Sequence, residues 1–183
     1  MIPALLLLVT VFVPMMIEAK WSRRNEQSLR GRHAIEPAGD VYRAMRLTYP
    51  ACFAAMALEA WLRQRTFDGT FFIGAGVFVA AKWLKYWAIA SLGPLWTFRV
   101  LVPPDLTLVQ SGPYRFVRHP NYAAVVGELM GTALMARAPV AGAISIVTFG
   151  ALLLARIRVE EQALKAAQAA RQAPATIRAA SKP

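Results

Sequence analysis

The strongest constraint on the fold is a series of five apolar runs separated by polar, basic segments. A helix that crosses a bilayer needs roughly 20 mostly apolar residues, and about 17 is the lower limit. The third run is comfortably long enough, and the other four are close to the limit. Together they predict an all-α integral membrane bundle of about five transmembrane helices. The runs are Ile2 to Ile17, Leu47 to Leu62, Thr70 to Leu92, Tyr122 to Met135 and Pro139 to Ala155.

The composition and the breaks between runs refine this architecture. A hydrophobic fraction of 57% is above that of ordinary soluble domains. The first run has no basic segment before it and no clear A-x-A site, which favours a retained helix over a signal peptide. Arg137-Ala138-Pro139 ends the fourth run with a charge and a helix stopper, so the last two runs predict a short helical hairpin. We expect residues 1–165 to form one membrane-embedded domain and residues 166–183 an Ala-rich, flexible tail.

The basic residues are distributed unevenly along the chain, whose net charge is +11. With five spans, sixteen of the 21 Lys and Arg fall on one side, in residues 20–46, residues 93–121 and the segment from residue 156 onward. By the positive-inside rule these segments face the cytoplasm and the N-terminus lies outside, which in a bacterium means the inner membrane. Attraction to anionic membrane lipids accounts for the basic loops, so we expect no nucleic-acid partner.

Several familiar kinds of site are missing from the sequence. Cys52 is the only cysteine, and His33 and His119 do not give it zinc-ligand spacing, so we expect a buried thiol and no metal. The sequence contains neither a P-loop nor a G-x-G-x-x-G after a strand. Any nucleotide-like cofactor must therefore bind among the helices and their cytoplasmic ends. Two glycine patterns within apolar runs predict close helix packing instead, and they are Gly74-Ala-Gly76 and Gly127-x-x-x-Gly131.

Two polar clusters flank the predicted hairpin. Since a hairpin places the start of its first helix beside the end of its second, we expect the clusters to meet on the cytoplasmic side. Their cations, imidazole, aromatic ring and carboxylates suit a zwitterionic or cationic small ligand. The alternative is that the arginines reach lipid phosphates while the carboxylates are solvated. The first cluster is Arg115, Arg118, His119, Asn121 and Tyr122, and the second is Arg156, Arg158, Glu160 and Glu161.

Four charged residues lie inside apolar runs, and one of them, Glu59, is expected to form an interfacial ion pair with Arg63 four residues later. Lys82 and Lys85 share a face of the third run, and Glu128 lies seven residues after Asn121 in the fourth. Intramembrane charges usually face a cavity or each other, which indicates a Lys–Glu pairing across the bundle. A second interpretation makes Glu128 the base for an acidic hydroxyl. The connector "VLVPPDLTLV" alternates in polarity and is compatible with a short β-hairpin at the membrane surface.

The segment "GPYRFVRHPNY", followed after the hairpin by "RIRVEEQAL", resembles the isoprenylcysteine carboxyl methyltransferase family of membrane enzymes that use S-adenosylmethionine. "WAIASLGPLW", and "HPNY" with Glu128 after it, are similar to a bacterial branch of that family that methylates alkylpyrones and alkylresorcinols. The similarity covers Trp87 to Leu164. The Ala-rich sequence after Leu164 departs from the aromatic stretch that usually follows in the family.

The resemblance implies an S-adenosylmethionine-dependent O-methyltransferase with a lipophilic acceptor, either an alkylpyrone or alkylresorcinol hydroxyl or an isoprenylcysteine-type carboxylate. The alternatives are a phospholipid N-methyltransferase or, in another class, a small transporter or membrane adaptor whose intramembrane charges line a path. The implied cofactor-binding residues are Tyr114, His119, Pro120, Asn121, Tyr122, Glu160 and Glu161, and the implied catalytic residues are Arg118, Glu128 and Arg158.

Overall fold

The computed structural model describes residues 2–64, 68–105 and 107–172. Five α-helices dominate these residues and no strand occurs among them, so the all-α prediction is confirmed. Most of the predicted flexible tail, residues 173–183, lies outside the described residues. The helices are α1 (Ile2–Gly31), α2 (Tyr42–Leu62), α3 (Gly69–Leu92), α4 (Pro120–Ala136) and α5 (Pro139–Gln172).

Three of the five helices are long and apolar enough, by length and composition, to cross a membrane: Leu5–Gly31, Gly69–Leu95 and Pro139–Ala169. Their outer faces carry large exposed apolar side chains, as expected for contact with lipid. The other two helices, α2 and α4, pack between them. The five helices thus form an all-α membrane bundle. Both α1 and α5 continue beyond their apolar runs into polar sequence.

Helices α3 and α4 make the closest helix–helix contact of the bundle, and glycines permit it. A Cβ atom added at Gly74 would lie 2.5 Å from the backbone nitrogen of Met135. A Cβ atom added at Gly131 would lie 2.6 Å from the backbone nitrogen of Phe78. Since real Cβ atoms do not approach so closely, the contact requires glycine, and the predicted packing role is confirmed. Gly76, by contrast, faces open space.

The last two helices form the predicted hairpin. Arg137 adopts a left-handed conformation with φ 46° at the end of α4. The Ala138 N–H then donates to the Ala133 carbonyl at 3.0 Å, and Pro139 begins α5. This tight turn makes the two helices antiparallel, so the start of α4 lies beside residues 156–161 of α5.

The loop before α2, the connector between α3 and α4, and the distal part of α5 meet at one end of the bundle. Arg99 Nη1 lies 2.5 Å from Glu36 Oε1, and it joins the connector to the loop. His119 Nε2 lies 3.4 Å from Glu161 Oε1, and it joins the connector to α5. The three basic segments therefore share one end, as their charge pattern predicts. At the opposite end Glu59 pairs with Arg63 at 2.9 Å, as expected for an i,i+4 ion pair.

The connector forms no β-hairpin in residues 99–105 and 107–110, so that expectation was wrong. Val102 instead exchanges two backbone hydrogen bonds, of 2.9 and 3.0 Å, with Ile35 of the loop before α2. Pro103 and Pro104 follow directly and have no N–H to donate, so the pairing cannot extend. The single bridge holds the connector against the loop.

Candidate functional site

A cavity of about 810 Å³ lies at the end of the bundle where these three segments meet. Its volume is within the range of small-molecule sites, roughly 300–1,000 Å³. The start of α4 and the distal part of α5 form its polar wall. The end of α3 and the connector supply an apolar wall, composed of Leu92, Leu95, Trp96, Val100, Leu101, Val102, Leu108 and Val109.

Four side chains form a hydrogen-bonded chain that runs from the polar wall to the loop behind it. The Tyr122 hydroxyl donates to Glu160 Oε2 at 2.5 Å and accepts from Arg156 Nε at 3.1 Å. Arg156 Nη1 donates in turn to Asp40 Oδ1 at 2.7 Å. Tyr122 belongs to the first turn of α4, whereas Arg156 and Glu160 belong to α5. The chain of hydrogen bonds therefore links both helices of the hairpin to the loop before α2.

Two further groups complete the polar wall near the start of α4. His119, the residue before α4, approaches Glu161, and its ring stacks on Tyr122 with the ring centroids 5.4 Å apart. Asn121 lines the same cavity, and its Oδ1 atom is buried without a hydrogen-bond donor among the described residues. Leaving a buried acceptor unpaired is costly, so this oxygen marks a position for a ligand N–H or O–H.

The polar wall carries charges of both signs. Glu160 and Glu161 supply two carboxylates, and Arg118 and Lys165 supply cations. Burial, and secondarily the nearby Glu160 carboxylate, raises the pKa of the Tyr114 phenol, so this phenol stays protonated and is available as a donor. Such a wall is able to bind a ligand that has both an ammonium and a carboxylate group.

Helix α1 holds the apolar wall in place. Asn25 Nδ2 donates to the carbonyl oxygens of Gly93 and Trp96, at 3.2 and 2.8 Å. Ser22 Oγ accepts the Phe98 N–H at 2.8 Å. These bonds satisfy backbone groups of an irregular segment that has no regular structure of its own. A polar face of α1 thus determines the path of the connector past the cavity.

The glycine that opens "GPYRFVRHPNY" has a structural explanation. Gly112 has φ +59°, a conformation that side chains disfavour. A Cβ atom there would lie 2.0 Å from Ser91 Oγ and 3.2 Å from Trp87 Nε1 of α3. The turn is therefore packed directly against α3, and this contact places the following Tyr114 at the cavity.

The structure brings most of the predicted site residues together, while their roles stay predictions. Pro120 is fully buried at the first position of α4 and lies behind the wall. Arg158 is exposed on α5 and lies outside the cavity lining, and Glu128 lies deeper in the bundle. The residues that do line the cavity are Tyr114, Arg118, His119, Asn121, Tyr122, Glu160 and Glu161.

Glu128 belongs to a buried cluster of four charges, which we call the charge cluster: Glu18, Lys82, Lys85 and Glu128. Lys82 Nζ lies 2.7 Å from Glu18 and 3.0 Å from Glu128. Lys85 Nζ lies 2.7 Å and 3.1 Å from the same two carboxylates. The Tyr49 hydroxyl donates to Glu128 at 2.7 Å. The predicted Lys–Glu pairing is confirmed. Attraction between the two lysines and the two glutamates offsets the free-energy cost of burying four charges.

Three important residues were missed or misjudged from the sequence. Arg156 belongs to the predicted second polar cluster but had no assigned role, and it is Arg156 that contacts Tyr122, whereas Arg158 is exposed. Glu18 is the fourth charge of the cluster, and its position directly after the first apolar run is the signal that could have located it. Asp40 had no sequence signal, because only the tertiary fold brings it to Arg156.

Known proteins are similar to this chain over the region that contains the cavity. The model of the isoprenylcysteine carboxyl methyltransferase (ICMT) family matches residues 74–166. The uncharacterized protein YpbQ of Bacillus subtilis (strain 168) is 32% identical over 161 residues, which cover 87% of this chain and 95% of YpbQ. An uncharacterized protein of Haemophilus influenzae is 26% identical over 144 residues, or 78% of this chain and 84% of that protein. No solved structure matches the chain significantly.

Proposed function

The chain belongs to the isoprenylcysteine carboxyl methyltransferase family, and on that premise we propose that it is an integral-membrane, S-adenosylmethionine-dependent O-methyltransferase with a lipophilic acceptor. One observation carries the proposal. The polar clusters at the start of α4 and in the distal part of α5 meet in one cavity, whose other wall is apolar. A cavity with these two walls suits a polar methyl donor beside a lipophilic acceptor.

The donor set of the polar wall fits the proposed cofactor. S-adenosylmethionine supplies an electrophilic methyl group on a sulfonium and carries an ammonium, a carboxylate and ribose hydroxyls. Glu160 and Glu161 offer acceptors for an ammonium or hydroxyl groups, and Arg118 offers a cation for a carboxylate. The stacked rings of His119 and Tyr122 provide an aromatic surface that favours a cationic neighbour. Asn121 and Tyr114 complete the proposed cofactor-binding set, and the buried Pro120 begins the helix that carries Asn121.

The apolar wall supports a lipophilic acceptor. Methyl transfer requires the acceptor oxygen to be held in line with the methyl group, and positioning supplies much of the rate. A carboxylate acceptor of the isoprenylcysteine type needs no base. An alkylpyrone or alkylresorcinol hydroxyl gains from one, and His119, beside Glu161, is the imidazole that lines the cavity.

The distribution of basic residues supports a membrane orientation for this site. The cavity lies at the end of the bundle that carries most of the Lys and Arg. By the positive-inside rule that end faces the cytoplasm, and in a bacterium the membrane is the inner membrane. The cofactor then enters from the cytoplasm and the acceptor from the bilayer.

The proposal is tested by methyl transfer from isotope-labelled S-adenosylmethionine into membrane lipid extracts. We expect wild type to label a lipid product and His119→Ala and Glu160→Gln to label it at least about tenfold more slowly. His33→Ala, at an exposed histidine outside the cavity, is the matched control and should label normally. Equal labelling by all four proteins contradicts the proposal.

The chemistry of the labelled product separates the acceptor classes. A methyl ester releases methanol in mild base, an aryl or enol methyl ether resists mild base, and an N-methyl product resists base and retains a positively charged headgroup. The first two outcomes support O-methylation and identify the oxygen acceptor. An N-methyl product supports the phospholipid N-methyltransferase, and absence of any cofactor-dependent label supports a transporter or adaptor.

A further inference from the structure

Asp40 lies directly behind the cavity and contacts both of its walls. It follows Gly39, whose φ of +85° turns the chain inward before α2 begins. Asp40 Oδ1 accepts from Arg156 Nη1 at 2.7 Å and from the Tyr42 N–H at 3.1 Å. Its Oδ2 accepts the Val100 N–H at 3.0 Å. The side chain is only 4% exposed.

These partners lie on different parts of the cavity lining. Val100 belongs to the apolar wall and Arg156 to the polar wall, whereas Asp40 itself does not line the cavity. One carboxylate therefore fixes the connector and α5 relative to each other. Asp40 also lies outside residues 74–166, the part of the chain that the family model matches.

Asp40, and not Glu160, is the carboxylate that Arg156 contacts. Arg156 and Glu160 are four residues apart on one helix, a spacing at which opposite charges commonly pair. Here the guanidinium contacts Asp40 and the Tyr122 hydroxyl, and it is this hydroxyl that contacts Glu160. Without the Asp40 charge, Glu160 becomes the nearest anion for a buried guanidinium. Direct pairing would then compete with a cationic ligand for Glu160.

We propose that Asp40 is a positioning residue for cofactor binding: it holds Arg156 against Tyr122 and thereby leaves the Glu160 carboxylate to bind the cationic part of S-adenosylmethionine. The inference rests on the proposed function. It assigns a role to a residue that acts through Arg156 and never touches the cofactor.

Calorimetric titration of S-adenosylmethionine into the purified full chain in detergent tests this role. Asp40→Asn keeps the shape and an acceptor for the backbone N–H groups but removes the charge. We expect Asp40→Asn and Arg156→Gln each to raise the Kd about tenfold, and the double variant to be no weaker than Arg156→Gln alone. Asp105→Asn removes an exposed carboxylate that pairs with Arg32, and it should bind as wild type does.

The decisive readout is whether the losses in affinity add in the double variant. If Asp40→Asn weakened binding only through a general loss of stability, it would do so whether or not Arg156 is present. Losses that multiply to about a hundredfold in the double variant, or an unchanged Kd in Asp40→Asn, overturn the inference. If Asp40→Asn does not fold, Arg156→Lys is tested in its place. A lysine ammonium lacks the planar guanidinium that contacts Asp40 and Tyr122 at the same time. A wild-type Kd for Arg156→Lys then overturns the inference. Failure of the wild type itself to bind refutes the proposed function, and this inference with it.

Discussion

Tyr122 and Glu160 are 38 positions apart in the sequence, and the Tyr122 hydroxyl donates a 2.5 Å hydrogen bond to the Glu160 carboxylate. This bond joins the polar cluster at the start of α4 to the cluster in the distal part of α5. Arg156 donates to the Tyr122 hydroxyl, and Asp40 accepts a second hydrogen bond from Arg156. The polar wall of the cavity is therefore a connected hydrogen-bond network, in which each member fixes the next.

Removal of the Tyr122 hydroxyl should weaken cofactor binding. Tyr122→Phe keeps the ring that stacks on His119 but removes the hydroxyl that orients the Glu160 carboxylate. A hydrogen bond to a charged group contributes about 1.5–3 kcal/mol, so we expect the Kd for S-adenosylmethionine to rise about tenfold or more. Isothermal titration calorimetry measures this change. An unchanged Kd would show that the bond does not organise the site.

The charge cluster should be sensitive to the loss of a single charge. Lys85→Met leaves two buried carboxylates with one lysine, which we expect to cost about 3–5 kcal/mol in the free energy of unfolding. The double variant Lys85→Met/Glu18→Gln restores neutrality and should recover much of that loss. Lys20→Met, at an exposed lysine of α1, is the control and should change stability by less than about 0.5 kcal/mol. The free energy of unfolding is measured in detergent. If the losses caused by Lys85→Met and Glu18→Gln add in the double variant, charge balance does not stabilise the cluster.

Glu128→Gln distinguishes a structural role from the predicted role as a base. Glu128 contacts Lys82, Lys85 and Tyr49 and lies outside the cavity lining. We therefore expect lower thermal stability, with kcat at low temperature within a few-fold of wild type. Stability and steady-state methyl transfer are measured on the same preparation. A loss of about a hundredfold in kcat at normal stability would support the base.

Two glycine variants test the packing of α3 against α4. Gly131→Ala places a methyl group 2.6 Å from the Phe78 backbone nitrogen, and we expect it to destabilise the protein by about 1–3 kcal/mol. Gly76→Ala is the matched control, because its Cβ meets open space and alanine favours helix. It should be neutral or slightly stabilising. Equal effects of the two substitutions on the unfolding midpoint would refute this packing explanation.

Asn25→Ala should loosen the connector. The substitution removes two hydrogen bonds to the carbonyl oxygens of Gly93 and Trp96, so residues 93–99 should open more often. We expect tryptic cleavage after Arg99 to become several-fold faster, as measured by mass spectrometry of the fragments. Gln27→Ala, at an exposed position of α1, should leave the rate unchanged. If both variants are cleaved at the wild-type rate, α1 does not hold the connector.

Much of the fold follows from the sequence because few backbone structures can cross a membrane. Apolar runs must satisfy their own backbone hydrogen bonds, so each run becomes a helix. Pro120 marks where α4 begins, and Pro139 marks the start of α5. The extension of α1 to Gly31 was not foreseen, since hydropathy detects only the part of a helix that meets lipid.

The candidate site was predictable where its residues are local and less so where they depend on tertiary structure. His119, Asn121 and Tyr122 lie together in one helix start, so a single motif located them. Within α5, helical spacing distinguishes Arg156, which faces Tyr122, from Arg158, which does not. The position of Asp40 depends on the turn before α2 and on how the connector packs, and neither has a sequence signature.

Equilibrium binding of S-adenosylmethionine to the purified full chain in detergent tests the central claim most directly. The account predicts saturable binding at one site per chain, with an affinity about tenfold weaker or more in Tyr122→Phe and Glu160→Gln. Absence of binding by the wild type, or equally tight binding by both variants, would contradict it.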